Sequence, residues 1–179
     1  MKPKSQALVA MTYGAILGLA GTIVYLMFYF AGSDPQSKYP GYIGYVLTII
    51  TILYGVKNYR DQQLGGFISY GHSLGTGVLI GLFSGLISGA FTVLMFTVID
   101  PGLMQKIMDT AQQKLADKQM SEEQMAMALK WTKKFMTTPF LFVFALLGSV
   151  FMSFIFSLII SVFVKKDKNP FENPTTDAV

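Results

Sequence analysis

Four uncharged apolar runs dominate the chain, from about Ala7 to Ala31, Gly41 to Val56, Leu74 to Ile99 and Phe140 to Val164. At about 1.5 Å of rise per residue, such runs match a hydrocarbon layer of about 30 Å, and the second, the shortest, spans it if upright. Small residues recur at every fourth position inside them: Gly77, Gly81, Gly85 and Gly89 in the third, Ser149, Ser153, Ser157 and Ser161 in the fourth, and Ala10, Gly14, Gly18 and Thr22 in the first. In water each helical glycine costs about 1 kcal/mol against alanine. In lipid the tails are as apolar as the helices, so close backbone approach through small residues becomes the means of association. The pattern predicts an all-α integral membrane four-helix bundle, organised as a single membrane domain over residues 1–179. Leu82 and Phe83, beside the glycine stripe, are expected to face lipid.

The connection between the third and fourth runs has a different period. Leu103, Met104, Ile107, Met108, Ala111 and Leu115 recur at helical spacing, with Lys106, Asp109, Gln113 and Lys114 on other faces. After a break near Gln119 and Met120, Ser121 to Gln124 form an S-x-x-Q capping box that opens a second helix with Met125, Ala128, Leu129, Thr132 and Phe135 on its apolar face. Thr138 and Pro139 resemble an N-cap and first-turn proline for the fourth span. The segment from Gly102 to Thr138 thus reads as an amphipathic helical hairpin lying on, or rising above, one membrane face.

Composition sharpens this picture. Of the 179 residues 52% are hydrophobic and only 13% charged, which agrees with a membrane bundle. There is no cysteine, hence no disulfide framework or thiolate site. The first apolar run follows Lys2 and Lys4 but far exceeds the 7 to 15 residues of a signal peptide, and reads as a retained span. Lys and Arg divide evenly between the two sides, seven against seven. Position decides instead: Lys57, Arg60, Lys165 and Lys166 abut helix ends, whereas Lys114, Lys118, Lys130, Lys133 and Lys134 lie within the hairpin among acids. Both termini are therefore expected in the cytoplasm and the hairpin outside.

Chemistry-bearing constellations are sparse. No Asp, Glu, Lys or Arg interrupts the four runs, so no proton relay or carboxylate pair is expected at membrane depth. No phosphate loop, nucleophile elbow or H-E-x-x-H sequence occurs. No catalytic, cofactor-binding or metal-ligating residue is therefore assigned. Lys57, Arg60 and His72, with Tyr59, could gather at a lipid headgroup, since Arg offers a planar fork of donors; the alternative is ordinary anchoring at helix ends. Methionines gather in the hairpin at Met104, Met108, Met120, Met125, Met127 and Met136. Thioethers are soft ligands, but without accompanying Cys or His these read as packing or docking surface. The net charge of +4 fits an anionic membrane surface, not nucleic acid.

Along the stretch Lys57-Asn58-Tyr59-Arg60-Asp61, through Gly65 to Gly71, Ile99-Asp100-Pro101, Met120 to Gln124, Thr138-Pro139 and Lys165-Lys166, the chain resembles the bacterial family of small four-span membrane proteins known as domain of unknown function 4199. The resemblance runs from about Met11 to Lys166 and implies the architecture and a bacterial inner membrane. It brings no activity to any residue. An internal echo is also visible: Tyr13-Gly14-x-x-Leu17-Gly18 and Tyr70-Gly71-x-x-Leu74-Gly75, with Leu26-Met27-Phe28 and Leu94-Met95-Phe96 each preceding an Asp-Pro pair, at Asp34-Pro35 and Asp100-Pro101.

Two functions follow as expectations. The first is a non-enzymatic accessory or scaffolding subunit, using small-residue faces to meet a protein partner, a second copy or membrane lipids. The second is a small passive or lipid-directed transporter, whose cavity Thr22, Thr48, Thr51, Ser84 and Ser88 would line.

Overall fold

Each uncharged run is helical from end to end, because in the absence of water a helix alone satisfies every backbone group within its own segment. The structure is a computed structural model describing residues 5–33, 38–117, 121–135 and 137–167, with the backbone alone at 114–117 and 122. Expectations placed on Lys2, Lys4, Asp34, Pro35, Lys118, Gln119, Met120, Met136, Lys168 and the two chain ends, and on the side chains of Lys114 and Leu115, fall outside those residues. Among them are α1 (Gln6–Phe30), α2 (Tyr39–Gln63), α3 (Tyr70–Leu94), α4 (Leu103–Asp117), α5 (Glu122–Phe135) and α6 (Thr138–Val164). A π-helical turn, Met95–Ile99, prolongs α3. Four helices are long and apolar enough to cross a membrane: α1, α2, α3 with its π turn, and α6.

Several boundaries move from their expected places for local reasons. The second helix does not stop at Val56 but continues to Gln63, carrying Lys57, Arg60 and Asp61 with it. It ends where Gly65 and Gly66 adopt φ of 66° and 89°, a reversal that side-chain-bearing residues rarely make. That reversal lets Gly66 N–H reach back to the Arg60 carbonyl at 2.9 Å. The third helix begins at Tyr70, a turn before Leu74, because Ser69 Oγ accepts the His72 N–H at 3.4 Å and caps it. At the fourth span the N-cap is Thr137, one residue before Thr138, and Pro139 sits in the first turn. The S-x-x-Q box forms reciprocally: Ser121 Oγ accepts from Gln124 N–H, and Gln124 Oε1 accepts from Ser121 N–H, both at 3.3 Å.

The third helix stands at the centre, with its most extensive contacts to α6 and then to α1, while α2 touches α1, α6 and α3. One face of α3 carries Gly77, Gly81, Gly85 and Gly89, and α6 runs antiparallel along it. A Cβ at Gly85 would lie 3.0 Å from Ser149 Cβ and 3.1 Å from Leu146 Cα; at Gly89 it would lie 2.9 Å from Phe142. At Gly77 and Gly81 the hydroxyls of Ser157 and Ser153 already occupy the spot a Cβ would need. The two helices thus meet at backbone distance, with a serine filling the place of each missing glycine side chain. Ser149 Oγ donates to the Gly81 carbonyl at 2.9 Å. Ser161 is buried further along α6.

The adjoining face of α3 is covered too. Gly14 and Gly18 of α1 rest on it, since a Cβ at Gly14 would meet the Ile80 carbonyl at 2.8 Å and one at Gly18 would meet Ile87 Cβ at 2.8 Å. Phe83, expected to face lipid, packs against Gly14 instead and joins the rim of the core. The outward position is Leu86, 41% exposed. Burial is uneven along the bundle: Val9 and Ala10 of α1, Ile52, Val56 and Tyr59 of α2, and Ile160 and Val164 of α6 all lie toward one end. That end is closed by all four spans; at the other, the loose end, Met95 and Leu103 are buried but α2 contributes no fully buried residue.

Bulk placed in the α3–α6 gap should therefore part the helices. Gly81→Leu is expected to lower stability by roughly the 1–3 kcal/mol typical of overpacking, while Leu86→Phe changes it little. Thermal unfolding of both variants in detergent checks this, and equal loss in the two would contradict the packing described.

Candidate functional site

At the closed end, Arg60 is held by three bonds within the protein. Its Nε and Nη2 donate to the two carboxylate oxygens of Asp61 at 2.6 and 3.1 Å, and its Nη1 donates to the Val164 carbonyl at 3.1 Å. The last bond satisfies one of the carbonyls left open at the end of α6. Beside it, Ile68 and Lys166 exchange backbone N–H to O bonds of 3.0 Å, an antiparallel bridge tying the α2–α3 turn to the chain after α6. The Lys166 ammonium lies 5.3 Å from the Phe67 ring. Tyr59 is buried, and His72 Nδ1 lies 3.2 Å from Ser69 Oγ at the α3 cap, whereas Lys57 is exposed. Lys57, Arg60 and His72 thus share an end of the bundle, where the Asp61 carboxylate, bonded to Arg60, also feels the charges of Lys166 and Lys57.

The loose end has its own polar node. Tyr29 O–H, at the end of α1, donates to Asp100 Oδ2 at 2.8 Å, and Lys106 Nζ of α4 donates to the same oxygen at 2.8 Å. Asp100 follows the π turn, whose wider i+5 bonding closes with Asp100 N–H on the Met95 carbonyl at 2.9 Å. The Lys106 bond, and next the Tyr29 bond, hold the Asp100 carboxyl below the usual carboxylate range. The same pairing raises Lys106. One carboxylate thus joins α1, α3 and α4.

Between the nodes the four spans enclose a cleft of about 270 Å³, opening on the loose half of the bundle. Gly21 of α1, Gly41 and Gly44 of α2, and Gly148 of α6 line it, and a Cβ at any of these four would meet nothing within 4 Å. They differ in this from Gly14 and Gly18, which are pressed against a neighbour. Ser84, Ser88, Thr48 and Ser149 also line it, but Thr48 Oγ donates to the Gly44 carbonyl one turn back at 2.8 Å and Ser149 to Gly81. Those two hydroxyls are satisfied by the backbone, and Leu17, Leu47 and Met152 add apolar surface to the wall. Thr51, expected in a lining, is not on this wall. A second cleft of about 430 Å³, between α1, the α3 end and Ile107, shares Gly21 and Ser88 with the first.

Outside the spans, α4 and α5 lie against each other, with Met104, Met108, Ala126 and Leu129 along a groove between them. Among the described residues no group of three or more His, Cys, Asp or Glu stands together as a metal site would require. Four buried hydroxyls, of Ser73, Ser153, Ser157 and Ser161, have no hydrogen-bond partner. Ser153 and Ser157 face Gly81 and Gly77 at backbone distance, which leaves their O–H donors unpaired.

The Arg60 cap and the Tyr29–Asp100–Lys106 node were not legible beforehand. The one available signal for the second was that Tyr29 and Asp100 close two spans running in the same direction, which puts them at one depth. Residues 12–166 match the family described as "Protein of unknown function (DUF4199)", and the chain belongs to it. No curated protein matches the chain. No solved structure matches it.

Proposed function

We propose that this family member is a non-enzymatic accessory or scaffolding subunit of a complex in a bacterial inner membrane, with both termini cytoplasmic and α4 and α5 outside. The observation that supports the role is the cleft whose four glycines stand over open space. Inside the bundle, glycine is used where two backbones must touch; a wall of glycines with nothing opposite offers the same close approach to a helix from elsewhere. Leu17, Leu47 and Met152 along it, with Thr48 and Ser149 bonded to backbone carbonyls, favour an apolar occupant over water or ions. A partner protein or a second copy of the chain would bring that helix. A lipid-directed carrier is the second reading, favoured by one observation: the two clefts meet at Gly21 and Ser88, offering lipid a continuous surface across the α1–α3 gap.

A variant that fills the cleft without touching the fold separates these readings. Gly44→Leu adds a side chain where a Cβ meets nothing, so its thermal stability should equal or slightly exceed that of the wild type, by at most about 1 kcal/mol from helix propensity. The wild type, purified from its host in mild detergent, is expected to retain a specific protein or a second copy that Gly44→Leu loses. Retention by the variant would refute the docking role, and a wild type carrying lipid alone would transfer the assignment to the carrier.

The orientation rests on the basic residues that abut the last span, Lys165 and Lys166, and on an even number of spans. Because the chain has no cysteine, a single Gln113→Cys provides a clean label on α4. It should react with an impermeant thiol reagent from outside the cell; reaction only after the membrane is opened would invert the topology.

A further inference from the structure

The outward face of α6 presents Phe140, Phe144, Leu147 and Phe151 at helical spacing, 43 to 62% exposed. On a membrane-spanning helix, that stripe lies against lipid tails. The aromatic contacts do not stop at the start of α6. Phe135 of α5 meets Phe140 edge-on at 5.7 Å and Phe144 at 6.3 Å, and Trp131, one turn back, stacks on Phe135 at 5.8 Å with the rings 14° apart. Met127 continues the line, so Met127, Trp131 and Phe135 form an exposed apolar stripe at four-residue spacing, contiguous with the lipid-facing surface of the span. Along its side lie Lys130 and Lys134, the latter with its ammonium 5.0 Å from the Trp131 ring. A groove of about 630 Å³ runs here, lined by Met127, Lys130, Trp131, Lys134, Ala126 and Glu123.

We propose that α5 is an interfacial anchor, seating Met127, Trp131 and Phe135 in the lipid leaflet next to the start of α6 and placing Lys130 and Lys134 on the phosphates of anionic lipids. Three physical facts converge on it. Phe135 cannot leave the membrane edge while it packs on Phe140 and Phe144, which belong to the span. Trp is the residue favoured at the headgroup level, where an apolar ring and a polar N–H are both satisfied. Lysines flanking an apolar helical stripe are the signature of a helix lying in the interface of an anionic membrane. Glu123, a turn and more toward the start of α5, is the one acid on the groove and is placed away from the aromatic end. The lipid contact thus lies at α5, at the opposite end of the bundle from Lys57, Arg60 and His72.

Trp131 is the only tryptophan, so its fluorescence reports this helix alone. The full chain would be reconstituted in vesicles of phosphatidylcholine, and in vesicles of phosphatidylcholine with phosphatidylglycerol, each with and without acyl-brominated lipid. Bromolipid should quench Trp131 several-fold more effectively than acrylamide in the water phase. Phosphatidylglycerol should deepen the protection from acrylamide, and the Lys130→Gln, Lys134→Gln double variant should lose that extra protection while still being quenched by bromolipid. Free quenching by acrylamide with none by bromolipid would put α5 in water and overturn the proposal. Protection from both quenchers would mean that protein covers Trp131, and also overturns it. Indifference of the wild type to phosphatidylglycerol would remove the anionic lipid from the site.

Discussion

Everything else in this bundle is arranged around the backbone contact of α3 with α6. Between helices in lipid there is no apolar surface to remove from water, so attraction must come from van der Waals contact at short range and from hydrogen bonds that only close approach permits. The glycines at 77, 81 and 85 remove the side chains that would hold α6 away, and Ser157, Ser153 and Ser149 fill the space with small polar groups. Because α1 rests on the adjoining face through Gly14 and Gly18, α3 is enclosed by two backbones at once. A helix held so has little freedom to rotate, which fixes the direction in which Ser84, Ser88 and the π turn face.

The remaining interactions divide the bundle into two halves of different character. At the closed end, ties from separate elements reinforce one another: the buried cluster around Ile52, Val56 and Val164, the Arg60 bond to the Val164 carbonyl, and the Ile68–Lys166 bridge. The N-terminal half of α2 is held more lightly, with Tyr45 meeting Phe156 of α6 edge-on at 6.0 Å and Leu47 at the margin of the core. The fully buried residues of α2 are Ile52, Gly55, Val56 and Tyr59, all in the later turns, while Gly41, Gly44 and Thr48 in the earlier turns border the cleft. The Tyr29–Asp100–Lys106 node then joins α1, α3 and α4 across the loose end without drawing in α2. The cleft therefore lies in the half of the bundle where α2 is least buried, apart from the cluster at the closed end.

How much of this could be read from residue order depends on the kind of interaction. The spans are legible because hydropathy is a property of each helix alone. The capping box at Ser121 and Gln124 is legible because both partners lie within one turn. Partner-dependent features are not. Phe83 sits on a face that hydropathy alone assigns to lipid, and only the docking of α1 turns it inward. Arg60 looks like an ordinary anchoring charge until the end of α6 arrives beside it. Glycine itself is ambiguous, since Gly14 marks a backbone contact and Gly44 marks open space. The apparent repeat shows the same limit: Tyr13-Gly14 lies inside α1 against α3, whereas Tyr70-Gly71 opens α3 with nothing near Gly71, so the two copies do not stand in equivalent places.

The contact of α3 with α6 can be tested directly in membranes, because the chain has no cysteine to compete. A Cβ on Gly85 would lie 3.0 Å from that of Ser149. A disulfide needs about 3.5–4.5 Å between these atoms, a separation reached by a small outward shift. Gly85→Cys with Ser149→Cys should therefore cross-link rapidly and almost completely under mild oxidation, while Leu86→Cys with Ser149→Cys should not. Equal or slower cross-linking of the Gly85 pair would contradict a backbone-to-backbone contact between the two helices.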